Sequence, residues 1–150
     1  MIAVVQRVTH ASVTVNDRDY HQSIGPGLLV LLGVEENDDE KDAKWMANKL
    51  ANLRIFTDDQ GKMNNSVQFT AGEILLISQF TLAGQCQKGN RPSFVKAADP
   101  EKGEHLYNCV SHNLSTEHNL PVRTGIFQTT MQVTLTNDGP VTLIVQSPKK

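Results

Sequence analysis

The segment TNDGPVT, residues 136–142, lies between two apolar runs, residues 131–136 and 141–145. Apolar runs joined through Asp-Gly read as a β-hairpin. A proline follows the glycine directly, however, where the returning strand should offer an N–H to its ladder. Pro140 removes that donor and also restricts Gly139. The least strand-compatible residue thus interrupts the most strand-like part of the chain.

Upstream, IAVVQRVTHASVTVND gives a strand to Val8 and a second in which Ala11, Val13 and Val15 alternate. YHQSI is a third. Gly25, Pro26 and Gly27 form a turn, and residues 28–34 are a buried strand. The acidic stretch EENDDEKD precedes a helix over residues 39–53, with Trp45, Leu50 and Leu53, joined by Met46 and Ile55, on one face. Its acidic start suits the positive end of the helix dipole. DDQGKMNNS is a turn-rich loop and EILLISQFTL a buried strand. A second helix runs over residues 100–114, with Pro100 at its first position. Gly103 weakens that helix by about 1 kcal/mol relative to alanine. The pattern is α+β: short strands with two helices inserted. No repeat or linker divides residues 1–150, so one domain is expected.

Composition narrows the function classes. A formal charge of −2 argues against a general polyanion binder with a wholly basic surface. Cys86 and Cys109 form neither a CxxC pair nor a disulfide framework. The apolar run of MIAVVQRV is too short for a signal peptide, and no segment has membrane-spanning length. A soluble cytoplasmic protein without a membrane partner is expected.

His105, Cys109 and His112 stand at i, i+4 and i+7 of the second helix, near one face, and could offer nitrogen and sulfur ligands. The plainer reading is a polar flank beside the core stripe Leu106, Val110 and Leu114. One helix rarely supplies a full ligand set, so no metal is expected. There is no G-x-S-x-G elbow, P-loop or dinucleotide fingerprint, and neither cysteine sits in a pKa-lowering motif. Residues 74–98 contain no acidic residue yet carry Lys88, Arg91 and Lys96. They form either a solvated loop or a phosphate-contacting surface beside a strand end. At that strand end, alternation puts Gln79 and Thr81 on one face and Ser78 and Phe80 on the other. Such hydroxyls and amides orient a substrate or satisfy loop backbone.

Taken together, QRV (6–8), GLLVLLGV (27–34), RIF (54–56), GKMN (61–64), SQFTL (78–82), RPSF (91–94) and NDGPVT (137–142) resemble the D-aminoacyl-tRNA deacylase family, in order. Each motif is weak alone; the ordered set covers essentially the whole chain. The resemblance implies a barrel-like domain of mixed, mostly antiparallel sheets with two main helices. It implies a homodimer that hydrolyses the ester between a D-amino acid and the tRNA 3′ end, without a cofactor and without DNA as a partner. Gly139 and Pro140 then match a cis dipeptide that one subunit inserts into the other's active site, held by Arg7, its carbonyls facing the substrate's α-amino group. Ser78, Gln79, Phe80 and Thr81 match the motif that receives the terminal adenosine and the ester, and Met131 resembles a pocket-lining methionine. Lys88, Arg91 and Lys96 become tRNA contacts.

Proline makes a cis bond accessible at about 0.5–1 kcal/mol over trans. Backbone crowding would then exclude L-amino acids while tolerating many D side chains, with achiral glycine within the same reach. Two catalytic routes stay open: Thr81 as nucleophile, or assistance from the tRNA's own 2′-OH with the protein supplying orientation. The absence of a base motif near SQFTL favours the second. Gln128, Thr129, Cys86 and Gly103 depart from the family's usual residues, which bears on pocket volume and substrate range. The rival readings are a non-catalytic dimer that binds the tRNA acceptor end, and an assembly protein whose Gly-Pro loop locks an interface.

Overall fold

The long first strand organises the sheet. The computed structural model describes residues 1–148. Among them the strands are β1 (Ile2–Val15), β2 (Tyr20–Ile24), β3 (Gly27–Gly33), β4 (Phe56–Thr57), β5 (Met63–Asn65), β6 (Glu73–Ser78), β7 (Val122–Thr124) and β8 (Gln132–Gln146). The helices are α1 (Glu40–Asn52) and α2 (Pro100–Thr116). Along one edge β1 pairs antiparallel with β8 from Ile2 to Thr14. Along the other it pairs antiparallel with β3 through residues 2–8 and with β2 through residues 11–15. The sheet continues from β3 to β6 and β7 in parallel, each parallel step spanned by a helix. The Tyr20 hydroxyl donates to the Thr124 carbonyl at 2.8 Å, tying β2 to β7 as the sheet curls toward a barrel.

Two corrections to the sequence reading concern these long strands. Residues 2–15 form one strand rather than two. Burial falls on Ala3 and Val5, then Val8, then Ala11, Val13 and Val15, a change of parity that accompanies register shifts against β8. Such shifts absorb the polar break QRVTH without ending the strand. Residues 131–146 are not a hairpin either. Both halves of β8 pair with β1, Asn137 opposite Val8 and Thr142 opposite Gln6, so residues 138–141 loop out of one ladder. The Asn137 carboxamide closes this loop. Its Oδ1 accepts from Val141 N–H at 2.7 Å, and its Nδ2 donates to the Val141 carbonyl and the Thr142 hydroxyl, both at 3.1 Å. The Gly139–Pro140 peptide is cis.

The sheet has an apolar layer on each face. Leu28, Val30 and Leu32 of β3, with Ile74 and Leu76 of β6, meet Met46, Leu50, Leu106, Val110 and Leu114 of the helices. The alternate residues Leu29, Leu75 and Ile77 face inward on Val8, Ala11 and Val13. Burying each Leu or Ile side chain stabilises by roughly 1.5–3 kcal/mol, so both layers contribute to holding the sheet. The α1 face runs through Ala43, Met46, Ala47, Leu50 and Ala51; Trp45 lies at its flank, under the Lys49 ammonium. Asp39 caps α1 reciprocally with Asp42. Gly27 belongs to β3 rather than to a turn, paired with Val8 and Glu73, and it must be glycine because a Cβ there would lie 1.9 Å from the Glu73 carbonyl. Phe56–Thr57 and Met63–Asn65 form a small hairpin around the loop at Asp58, and Val122–Thr124 is a strand missed in the sequence.

Gly103 sits in α2, where a Cβ would meet the Phe127 Cζ at 3.4 Å, an ordinary contact. Gly103→Ala should therefore stabilise the protein by about 1 kcal/mol through helix propensity alone. At fixed protein concentration its thermal midpoint should rise by roughly 2–4 °C. An unchanged or lower midpoint would mean that Phe127 cannot accommodate the methyl group.

Candidate active site

β6 ends at Ser78, and the chain turns at once into a 3₁₀ turn, Phe80–Ala83. Gln79 N–H makes the last sheet-like bond, to the Leu32 carbonyl at 2.8 Å. Leu82 N–H to the Gln79 carbonyl and Gly84 N–H to the Thr81 carbonyl, at 3.2 and 3.0 Å, then close the turn. Strand alternation therefore stops at Ser78, three residues before the Thr81 to which the sequence reading carried it. Ser78, Gln79 and Phe80 all line one cavity of about 800 Å³. Thr81 does not line it; its hydroxyl oxygen accepts a short hydrogen bond from the Gln79 side-chain amide.

Opposite stand Phe127, Gln128, Thr129, Thr130 and Met131, and the floor includes Gly103 and Tyr107 of α2. Met131 fits because Gly125 has no side chain: a Cβ there would lie 2.3 Å from the Met131 Sδ. Gln128 holds a left-handed backbone, φ 57°, unusual for a residue with a side chain. The Tyr107 hydroxyl donates to the Leu76 carbonyl at 2.7 Å, and its ring meets Phe127 at 6.0 Å between centroids. Burial pushes the Tyr107 phenol far above its ordinary pKa, so it stays a protonated donor at neutral pH. Tyr107, Phe127 and Gly125 were missed in the sequence. The signal that could have found Tyr107 is helical spacing: with Gly103 it continues the buried stripe of Leu106, Val110 and Leu114 on one face of α2.

The cavity is poor in titratable chemistry. Asp99 and Tyr107 are the titratable residues in its lining. Asp99 is the N-cap of α2, its carboxylate accepting from Lys102 N–H at 3.0 Å. No histidine, cysteine or lysine joins them in the lining. A base-activated side-chain nucleophile is therefore unsupported here, whereas hydrogen-bond donors and acceptors for a polar ligand are abundant.

A hairpin follows the turn, outside the cavity lining. Gln85 and Ser93 exchange backbone hydrogen bonds at 2.8 and 3.0 Å, with Gly89 at the tip in a left-handed conformation, φ 66°. Phe94 meets Phe80 edge to face, with centroids 5.3 Å apart and both rings exposed. This needs Gly84, whose Cβ would lie 2.8 Å from the Phe94 Cε1. Lys88, Arg91 and Lys96 are all exposed on this segment, as is Cys86, and among the described residues no ion pair engages the three cations.

Gly139, Pro140 and Arg7 lie elsewhere: none of them lines the cavity of the same chain. Gly139 and Pro140 are exposed at the crest of the β8 loop. Arg7 braces that loop from below. Its Nε donates to the Asp138 carbonyl at 2.9 Å and lies 3.5 Å from the Asp138 carboxylate. Its Nη1 donates to the Ile55 carbonyl at 2.7 Å. On α2, His105 and Cys109 turn away from the cavity toward α1, where Glu40 meets them.

The family model described as D-Tyr-tRNA(Tyr) deacylase matches residues 4–146. A D-aminoacyl-tRNA deacylase of Geotalea daltonii is 53% identical over 150 residues, spanning 100% of this chain and 99% of its own. One from Geobacter metallireducens is 54% identical over 149 residues, 99% of this chain and 97% of its own. Among solved structures, the c-Myc DNA Unwinding Element Binding Protein superposes with a TM-score of 0.90 at 44% identity, over 99% of this chain and 100% of that one. A probable eukaryotic D-amino acid tRNA deacylase shares the fold, with a TM-score of 0.80 at 18% identity over 96% and 97% of the two chains. Family match, relatives and fold agree over nearly the full length, and the chain belongs to the D-Tyr-tRNA(Tyr) deacylase family.

Proposed function

We propose that the protein hydrolyses the ester linking a D-amino acid to the 3′ end of tRNA in the cytoplasm, as a homodimer, with the cavity at the end of β6 receiving the aminoacylated terminus. The observation that carries this reading is the cavity's chemistry in a chain of this family. Ser78, Gln79 and Phe80 supply polar and aromatic contacts at its mouth, and its lining holds no free acid–base pair. An aminoacyl ester is already activated, so positioning and an oriented water supply much of what its hydrolysis requires. Thr81 has a donating amide beside its oxygen rather than a base, which does not favour it as the nucleophile. The adjacent 2′-OH of the terminal ribose is the better assistant.

Chiral selection is assigned to Gly139 and Pro140 of a partner subunit. In support, these residues stand exposed, braced by Arg7, and absent from their own chain's cavity. Among the described residues β8 pairs only with β1, leaving its outer edge to a second copy. Backbone atoms placed beside the substrate's Cα exclude the L configuration by contact without reading the side chain. Many D-amino acids, and glycine, then satisfy the same test. Lys88, Arg91 and Lys96 would meet phosphates of the acceptor end.

Matched tRNAs charged with D- and L-amino acid should separate the readings: release from the D-substrate and retention of the L-substrate are expected. Equal rates, or no release from either, would refute a chirally selective hydrolase, and tight binding without turnover would leave a binding dimer. Thr81→Ala should slow D-release by roughly two- to tenfold, the weight of one neutral hydrogen bond. Complete loss with tRNA affinity intact would make Thr81 the nucleophile instead.

Charge reversal at Lys88 or Arg91 should weaken tRNA binding and flatten its dependence on salt by about one unit of log–log slope or less. Unchanged affinity would reduce the segment to a solvated loop. Because one solved relative is named for DNA binding, a duplex DNA competitor belongs in the same titration, and it is expected not to displace tRNA.

A further inference from the structure

The groove between α1 and α2 gathers three donor side chains from both helices. Glu40, in the first turn of α1, brings its Oε1 to 3.0 Å from the His105 Nε2. The Cys109 Sγ, one helical turn along α2, lies 3.8 Å from the same nitrogen. All three donor atoms lie within 4.8 Å of one another. The sequence offered His105 and Cys109 on one helix face but lacked a ligand from elsewhere; α1 provides it. The geometry points to a divalent zinc-type site formed by Glu40 Oε1, His105 Nε2 and Cys109 Sγ, with the fourth position open to water.

Several physical features favour this ligand class. With metal–nitrogen, metal–oxygen and metal–sulfur bonds of the usual lengths, a tetrahedral centre separates N from O by about 3.4 Å and N from S by about 3.6 Å. The N–S separation in the groove, 3.8 Å, is already near that value, while the N–O separation, 3.0 Å, is that of a hydrogen bond and would open by about 0.4 Å. One carboxylate, one imidazole and one thiol make a borderline-soft set, suited to Zn²⁺ rather than to Mg²⁺ or Ca²⁺. Carboxylate and thiolate together neutralise a divalent ion. Lys44, on the groove wall, is drawn off by Glu117 at 3.4 Å. Without an ion the thiol is disfavoured as an anion: burial, and then the Glu40 carboxylate, push the Cys109 pKa up. A cation between the two reverses the second effect.

Binding requires no redox partner. The Cys109 S–H gives its proton to bulk water as the S–metal bond forms. His105 binds as the neutral imidazole through Nε2, exchanging its contact with Glu40 for the metal. His112 lines the same groove one turn beyond Cys109, outside the three-ligand cluster. The site lies on the side of α2 away from Gly103 and Tyr107, so it is separate from the hydrolytic cavity and does not rest on the proposed reaction.

The test uses the whole protein, stripped with a chelator and titrated with CoCl₂ and then ZnCl₂. One equivalent of Co²⁺ should bring a near-ultraviolet thiolate-to-metal band and visible bands of tetrahedral intensity, both displaced by Zn²⁺. Cys109→Ser should abolish the near-ultraviolet band. His105→Ala and Glu40→Gln should each weaken Zn²⁺ binding by roughly tenfold or more, as loss of a ligand does. Cys86→Ser is the control and should leave the spectrum unchanged. All four side chains are at least partly exposed, so folding should survive, as circular dichroism can verify. No thiolate band, a band that depends on Cys86, or Zn²⁺ affinity indifferent to His105 would each overturn the assignment.

Discussion

The ladder between β1 and β8 is the interaction on which the rest of the molecule depends. β1 gives one edge wholly to β8 and divides the other between β3 and β2. That division lets the sheet turn its inner face on itself while its outer face carries both helices. A ladder of this length could tolerate one interruption, and it has one: residues 138–141 leave it between Asn137 opposite Val8 and Thr142 opposite Gln6. Pro140 has no N–H to lose there, and the Asn137 carboxamide supplies the backbone-like bonds that the loop gives up. Arg7, on the paired strand, reaches the Asp138 carbonyl from beneath. Strand pairing thus fixes the feet of the loop, and side chains fix its crest.

The cavity is a consequence of the same sheet. β6 lies between two parallel neighbours, so its C-terminal end opens at a place where no antiparallel turn can cover it. Helices that make the parallel crossovers pack on one face, and the first turn of α2 reaches the strand end with Asp99 and Gly103. Small residues then decide what fits. Gly125 admits Met131, Gly84 admits Phe94, and Gly103 leaves a gap beside Phe127. The cavity is shaped by missing side chains as much as by those present.

This division explains what could be read beforehand. Helix limits were legible because caps and apolar spacing are local: Asp39, Pro100 and the Met46–Leu50 spacing announce themselves. The motif SQFTL was legible as a polar end to an apolar strand, although the turn that begins at Phe80 was not, since the sequence does not show that the ladder with β3 ends at the Gln79–Leu32 bond. The β8 loop was misread as a hairpin because a sequence shows which residues break a strand but not which strand they would have paired. Gly125 and Tyr107 stayed invisible for a related reason. Their importance lies in distances to Met131 and Leu76, residues that no periodicity links to them. Glu40 beside His105 is the same case, joining two helices 65 positions apart.

Edge exposure connects the fold to the proposed chemistry. No residue of β8 is fully buried, Ile144 is 72% exposed, and Gly139 and Pro140 project from its middle. A long edge strand with an apolar face is a liability unless another chain covers it. A second copy of β8 is the cover that symmetry makes available, since a two-fold interface sets the same patch against itself. In that arrangement the covering act would also deliver each loop to its partner. Side chains that line the cavity would orient the ester, while the element that judges handedness would arrive as main chain on another subunit. Such a judge could not be retuned by one side-chain substitution, because its contacts would be carbonyls and Cα atoms common to every residue. Selectivity would then depend on how firmly the loop is held, which would give Arg7, Asn137 and the β1–β8 register their importance.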